Sequence, residues 1–390
     1  MVAATRAPGV TSISVSKHAA TMNKPDAQRP RGWFSRSELP GRIAMVVAAF
    51  VVGAVVLELG LRIWFWGYLF TWPNFVLEAR TVLAEGDAGR YVHDDRLGYV
   101  PRSGHAAPGI TIEANGLRRT GDPGATAPIL AVGDSFTFGA EVPDHETWPA
   151  QLQQITGRRV LNAGVSGYGF DQIVLRAEAL APLYKPEAIV VAFIADDIRR
   201  TEMRRLWSAD KPYFDLDKNG DLDKETPVPR NVPVPPRAEP RTTLTFWQRT
   251  LGYSLLFDFI LRRLDLLHDW FGDHIRVHPP GTGERIACTL TGRLAELQRS
   301  SGARVLLVAE YDPVVWDDPK FAAEQRRLTG ALLACARKEG LATLDSYDAL
   351  AGTARPRQLY VLWHMNAEGN RLIAKAIAAD LARPYIPPSR

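Results

Sequence analysis

Four stretches of this chain place residues able to do acyl chemistry where strand-like composition gives way to a turn. "AVGDSFTFGA", residues 131–140, sets Ser135 directly after an apolar run and before a Phe/Gly-rich turn. A small residue there can hold its hydroxyl outward while backbone N–H groups face the same space. The same serine reads equally well as a helix cap. "NAGVSGYG" offers Gly164, whose N–H a side chain would otherwise screen, and "FIADDI" offers Asp196 and Asp197. "WHMNAEGN" sets His364 two residues before Asn366, an N-cap candidate for a final helix. A hydroxyl, an imidazole and convergent N–H groups suffice for attack on an ester carbonyl. That chemistry needs no metal or organic cofactor.

The elements that must bring these residues together are legible from residue 128 onward. "PILAVGD", "RVLNAGV" and "AIVVAFIADD" read as strands, separated by the helices "TWPAQLQQIT" and "FDQIVLRAEALAPLY". After an interruption at about 200–280 come the helix "ERIACTLTGRLAELQRS", the strand "RVLLVAEYD", the helix "PKFAAEQRRLTGALLACARKEG", the short strand "LATLD" and a last helix from about Ala367 to Ala382. Near-continuous apolar strands alternating with helices predict an α/β fold with a parallel sheet covered on both faces. Ligands of such sheets collect at the carboxyl ends of the strands. Ser135, Gly164 and Asp196 each follow a strand at that edge.

On "GDSFTFG" and "HMNAEGNRLIA" the chain resembles the SGNH, or GDSL-type, hydrolase family, from about Pro128 to the C-terminus without much of 200–280. The resemblance implies a three-layer α/β/α sandwich. It also implies the activity of an esterase, lipase, carbohydrate deacetylase or, in envelope polysaccharide pathways, an O-acetyltransferase. Ser135 would be the nucleophile and His364 the base, with the N–H groups of Ser135 and Gly164 forming the oxyanion hole. Two positions depart from the family pattern. Asp196 stands where an Asn amide would be the third oxyanion donor, and a carboxylate only accepts. It must be protonated by desolvation or turn away. Val361 stands three residues before His364 where the family has an Asp, so a backbone carbonyl or another acid, Asp345, Asp348 or Asp312, must fix the histidine tautomer.

The remaining segments bound location and partners. Residues 1–42 carry seven Lys/Arg against Asp26 and Glu38, so the formal charge of +4 belongs to a basic, disordered tail and no basic groove for nucleic acid remains. "IAMVVAAFVVGAVVL", Ile43–Leu57, continues past Glu58 and Arg62 to Trp66, long enough to span a bilayer as an uncleaved signal anchor over 43–66. Glu58 and Arg62 can pair at i, i+4, and Trp64, Trp66, Tyr68 and Trp72 fit an interfacial belt. The charge bias puts the tail in the cytoplasm and the domain across an inner membrane, in the periplasm. A cleaved signal peptide and a buried core helix are the alternatives.

Residues 73–127 read as an irregular, Gly- and turn-rich accessory segment, with "DDRLGYVPRSGH" and "EANGLRR" as loops and short strands, without assignable chemistry. Cys288 and Cys335 read equally as a bridge or as two buried thiols. "DLDKNGDLD" imitates the start of a calcium loop through Asp215, Asp217, Asn219 and Gly220, yet Thr226 occupies the position of the bidentate carboxylate, so a hairpin turn is expected. "TFWQRTLGYSLLFDFILRRLDLLHDWF" reads as one amphipathic helix with Asp258, Arg262, Asp265 and Asp269 on one face, packed on the domain, lidding the site or touching the membrane surface.

The expected function is a membrane-anchored serine ester hydrolase on an acyl, chiefly acetyl, ester of a small molecule or envelope glycan, using Ser135 and His364. An O-acetyltransferase, and a non-catalytic glycan-binding scaffold that retained the fold, are the alternatives. No metal site and no protein partner are indicated.

Overall fold

The computed structural model describes residues 39–78, 89–121, 128–207, 209–228, 244–264 and 266–384. Most of the basic tail therefore lies outside the described residues. The chain divides into two units, one ending at Leu57 and one beginning at Glu58. Helix α1, Leu39–Trp64, carries 25 residues, Pro40–Trp64, long and apolar enough to cross a membrane. Its 26 residues span about 39 Å at 1.5 Å per residue, more than a hydrocarbon core of about 30 Å.

Five parallel strands form the sheet of the second unit: β1 Ile129–Val132, β2 Val160–Asn162, β3 Ala188–Phe193, β4 Arg304–Ala309 and β5 Ala342–Asp345, in the order β5-β4-β3-β1-β2. Alternate side chains enter two separate cores. Leu130, Val132, Ile189, Val191 and Phe193 pack on one face, Ile129, Ala131, Val190 and Ala192 on the other, all fully buried. Each large aliphatic side chain buried this way contributes about 1.5–3 kcal/mol, which is why the strands are apolar throughout rather than alternating.

Around the sheet run α2 Ser135–Phe138, α3 Trp148–Thr156, α4 Phe170–Tyr184, α5 Ala195–Arg200, α6 Phe246–Leu251, α7 Leu255–Arg263, α8 Leu267–Phe271, α9 Thr282–Ser301, α10 Pro319–Lys338, α11 Tyr347–Ala351 and α12 Ala367–Leu381. Helices α4, α9 and α10 cover the first face, α3 and α12 the second. This is the three-layer α/β/α sandwich expected of the chain. The strand order reverses between β1 and β3, so the crevice at their carboxyl ends is the natural binding place.

Cys288 on α9 and Cys335 on α10 are joined in a disulfide, their Cα atoms 5.4 Å apart. "DLDKNGDLD" forms the expected hairpin: Tyr213–Leu216 pairs with Leu222–Thr226, and Asp217 Oδ1 accepts from the N–H groups of Asn219 and Asp221.

One reading needs correction. The single helix expected over 245–271 is three, because Gly252 ends α6, Ser254 caps α7 through the Phe257 N–H, and a further turn precedes α8. Asp258 pairs with Arg262 at 2.7 Å, while Asp265 lies outside the described residues. The accessory segment holds short strands between loops, as read from the sequence: Tyr91–Asp94 pairs with Gly98–Pro101, Ala106–Ala107 pairs with Ile110–Thr111, and Arg118 bridges to Asn162 at the end of β2.

Candidate active site

Ser135 is the first residue of α2, directly past β1 and the Gly133–Asp134 turn. Gly133 is required here, since a Cβ would lie 2.0 Å from Thr137 Oγ1 and 2.9 Å from the Ala192 carbonyl. Asp134, fully buried, caps α2 by accepting from the Phe136 N–H at 2.9 Å. Gly139 ends the helix at φ 81°, a left-handed turn that side chains resist, and the chain swings through Glu141.

His364 reaches the nucleophile from the opposite end of the sequence. It stands on a short hairpin, Tyr360–Val361 against His364–Met365, held to α12 by Asn366 and Asn370. His364 Nε2 is 2.8 Å from Ser135 Oγ, and Phe136 packs against the imidazole with ring centroids 5.0 Å apart. On the far side of the ring, Nδ1 lies 3.1 Å from Glu141 Oε1, an ion-pair distance whose angle falls short of a hydrogen bond. Glu141 Oε2 accepts from the His364 backbone N–H at 3.1 Å. The acid beside the histidine is therefore Glu141, six residues after the serine.

The three aspartates considered for that role do not take it. Asp312 caps the turn Pro313–Trp316 through the Val314 N–H, and burial raises its carboxyl above the ordinary value. Asp345 accepts from Tyr311 Oη and the Tyr347 N–H, and Asp348 is exposed on α11. None is at ion-pair distance from His364, although Asp312 lines the same cavity.

Gly164 also serves differently from expectation. Its N–H donates to Asn162 Oδ1 at 3.0 Å, and a Cβ there would lie 2.3 Å from the Phe138 nitrogen, so this glycine allows the β2 exit to pack on α2. Gly167, three residues on, lines the cavity at φ 81°, and its N–H has no acceptor among the described residues. The Ser135 N–H, at the start of α2, is likewise unengaged. Asp196 lines the cavity too, but its half-exposed carboxylate turns to Arg199 at 2.5 Å. Of the two arrangements open to it, this is the one that leaves the oxyanion to backbone donors.

Beneath the nucleophile, Arg200 joins the strand ends. Its guanidinium lies 2.6 Å from Asp197 and 3.4 Å from Asp134, and it donates to the Tyr168 carbonyl at 3.0 Å. Burial, then the neighbouring Asp134, pushes the Asp197 carboxyl well above its ordinary range. Glu310, directly after β4, is 1% exposed with neither carboxyl oxygen partnered, and burial followed by Asp134 raises it in the same way.

The site opens into a cavity of about 550 Å³ whose walls include Tyr91, Tyr99, Trp207 and Trp363. Tyr91 and Tyr99 come from the accessory segment, to which the sequence had assigned no chemistry. Arg118 of the same segment is fully buried and donates to the carbonyls of Phe138, Gly139 and Val142 at 2.5–2.7 Å, gripping the turn that carries Glu141. Behind Trp207, His268 and His274 stack with centroids 3.9 Å apart and planes 16° off parallel, beside Asp273. One ligand atom from each of His268, Asp273 and His274 lies within 4.8 Å of the others. Burial pulls His274 down to about 4, a neutral ring under the tryptophan.

Among solved structures the chain is similar to TesA (17% identity, covering 65% of this chain and 98% of that one, TM-score 0.37). It is similar also to an acetylxylan esterase from Geobacillus stearothermophilus (13% identity, 68% and 99% covered, TM-score 0.38) and to the psychrotrophic esterase EstA from Pseudoalteromonas sp. (13%, 66% and 100%, TM-score 0.37). No curated protein matches the chain. The model of the GDSL-like Lipase/Acylhydrolase family matches residues 131–372, the stretch that holds the sheet, Ser135 and His364, and the chain belongs to that family.

Proposed function

We propose that this protein is a serine ester hydrolase with a Ser135–His364–Glu141 triad, acting on an acetyl or similarly short acyl ester of a cell-envelope glycan. The observation that carries the reading is the 2.8 Å contact between Ser135 Oγ and His364 Nε2, made across 229 positions of sequence. Glu141 at Nδ1 favours the tautomer whose Nε2 is free to take a proton.

Attack of Oγ on the acyl carbon sends the hydroxyl proton to Nε2, and the carbonyl oxygen becomes an oxyanion facing the Ser135 and Gly167 N–H groups. Collapse expels the alcohol, which takes the proton from Nε2 and leaves an acyl-serine. Water then gives a proton to Nε2, attacks the acyl carbon, and releases the carboxylic acid as the serine regains its proton. No cofactor enters these steps. The aromatic cavity walls suit the C–H faces of a sugar ring.

The reading places the tail in the cytoplasm, α1 across an inner membrane and the catalytic unit outside it. Support comes from the basic tail and from the disulfide, a bond favoured in oxidising compartments.

Hydrolysis of nitrophenyl acetate by the detergent-extracted protein, lost in Ser135→Ala and in His364→Ala, tests the proposal. Activity surviving both substitutions overturns it, and so does a wild-type protein that neither turns over nor labels with a serine-reactive phosphonate. Adding acceptor glycans separates hydrolysis from transfer, since a transferase delivers the acyl group to sugar faster than to water.

A further inference from the structure

The insertion between β3 and β4 is tied to the end of α1. Glu58 accepts from the N–H groups of Leu255 and Leu256 at 3.0 and 2.8 Å and from Ser254 Oγ at 2.9 Å, capping α7. Arg62, with no exposed side-chain surface, donates to Glu58 and to the carbonyls of Tyr68, Thr71 and Tyr253, and lies 3.5 Å from the Trp72 ring centroid. The two charges near the end of α1 are thus met by each other, by the start of α7 and by backbone carbonyls of Tyr68, Thr71 and Tyr253, the condition for ionic groups at the end of a membrane span.

Glu58 precedes Trp64, the last residue of α1, by about 9 Å along the helix axis. The first turn of α7 therefore lies beside the end of the apolar helix, not beyond it. The same region leaves large apolar side chains in the open: Phe246 at 68% and Trp247 at 61% on α6, with Ile260 and Leu264 on and after α7. Trp64, Trp66 and Phe70 are exposed where α1 ends, and Arg249 and Arg263 stand among these residues. Helices of 6 and 9 residues are too short to persist on propensity alone.

We infer that α6 and α7 form a membrane-interface platform, their Phe246, Trp247, Ile260 and Leu264 side chains seated among lipid headgroups and upper acyl chains, so that the catalytic unit is held against the bilayer. The occupant is lipid and not protein because Glu58 and Arg62, in the last turns of the apolar helix, hold Tyr253 and the start of α7 beside them, and because exposed aromatic residues with arginines fit the interface. The inference rests on the membrane-anchored reading above.

The test is nitroxide depth measurement on the full chain in nanodiscs of zwitterionic and anionic phosphatidyl lipids, comparing collisions with oxygen and with a water-soluble nickel chelate. Labels go at Phe246→Cys and Ile260→Cys, with Phe50→Cys as the reference in the span and Leu183→Cys as the reference on the exposed end of α4. The native cysteines, being bridged, do not label. Oxygen-rich, nickel-poor labels at 246, 260 and 50 are the expected result. Lipid exposure at 50 with labels at 246 and 260 as nickel-accessible as at 183 overturns the platform while leaving the anchor. Water exposure at 50 overturns the anchor as well. Labels at 246 and 260 shielded from both reagents would mean a protein contact and overturn the lipid assignment.

Discussion

Glu141 meets His364 twice, accepting from its backbone N–H through Oε2 and lying at ion-pair distance from the ring Nδ1 through Oε1, both at 3.1 Å. One carboxylate thereby fixes both the position of the hairpin and the face of the imidazole. Glu141→Gln keeps the shape and removes the charge. Its kcat on a nitrophenyl ester should fall between about 10² and about 10⁴-fold with KM little changed, as expected for loss of tautomer control. A kcat within about threefold of wild type would remove Glu141 from the triad.

Asp196 lines the cavity with a carboxylate that can only accept, and it pairs with Arg199. In Asp196→Asn the Arg199 pairing is replaced by an amide that can donate toward the oxyanion. Because one such donor is worth about 10²–10³ in rate, the variant should be faster than wild type, by up to about 10²-fold in kcat. An unchanged or lower kcat would show that the backbone N–H groups already complete the site.

Much of this architecture was readable from residue order. β1 and β3 are apolar on every position, and β4 on all but its first, because both faces are covered, so their pattern is visible without a partner. Ser135 and His364 sit in local motifs that carry their own turn chemistry. Glu141 carries no such mark: its role arises only because the left-handed Gly139 turn and the His364 hairpin meet in space. Val361 offers no acid beside the histidine, and spacing cannot say that Glu141 is the carboxylate that comes within 3.1 Å of the His364 ring. The sequence marks Gly164, whereas Gly167 is told apart only by what packs on it: Phe138 lies against Gly164, and Tyr99 and Trp207 against Gly167. The cavity walls of the accessory segment were invisible because Tyr91 and Tyr99 lie on short hairpins with no periodicity to detect.

Arg118 should behave as a positioning residue whose removal is felt in both stability and rate. Arg118→Met leaves the carbonyls of Phe138, Gly139 and Val142 and the Asp144 carboxylate without their buried donor. Breaking such a cluster costs about 3–5 kcal/mol, read by denaturant unfolding, and kcat should fall with it as Glu141 loses its fixed turn. Arg118→Lys should recover little of either, because one ammonium cannot replace a fork that reaches several acceptors. Full activity in Arg118→Met would separate the grip from catalysis.

Glu310 gives the fold a pH dependence of definite sign. Its carboxyl is pushed well above 4.5 by burial and then by Asp134, so the folded protein holds a proton that the unfolded chain releases. Stability from this group is complete below about pH 4.5 and is lost as pH rises through the raised folded value. Within that window wild type should lose up to about 1.4 kcal/mol of unfolding free energy per pH unit more than Glu310→Gln, which has no proton to release. Asp197 and Asp312 are raised in the same direction, so a residual slope should persist in the variant. Unfolding curves of both proteins between pH 5 and pH 9 decide the matter: parallel slopes would mean that Glu310 is ionised in the native state. The loss of its proton beside Asp134, the cap of the nucleophile helix, would then have to be compensated by Arg200, the one cation that touches Asp134 among the described residues.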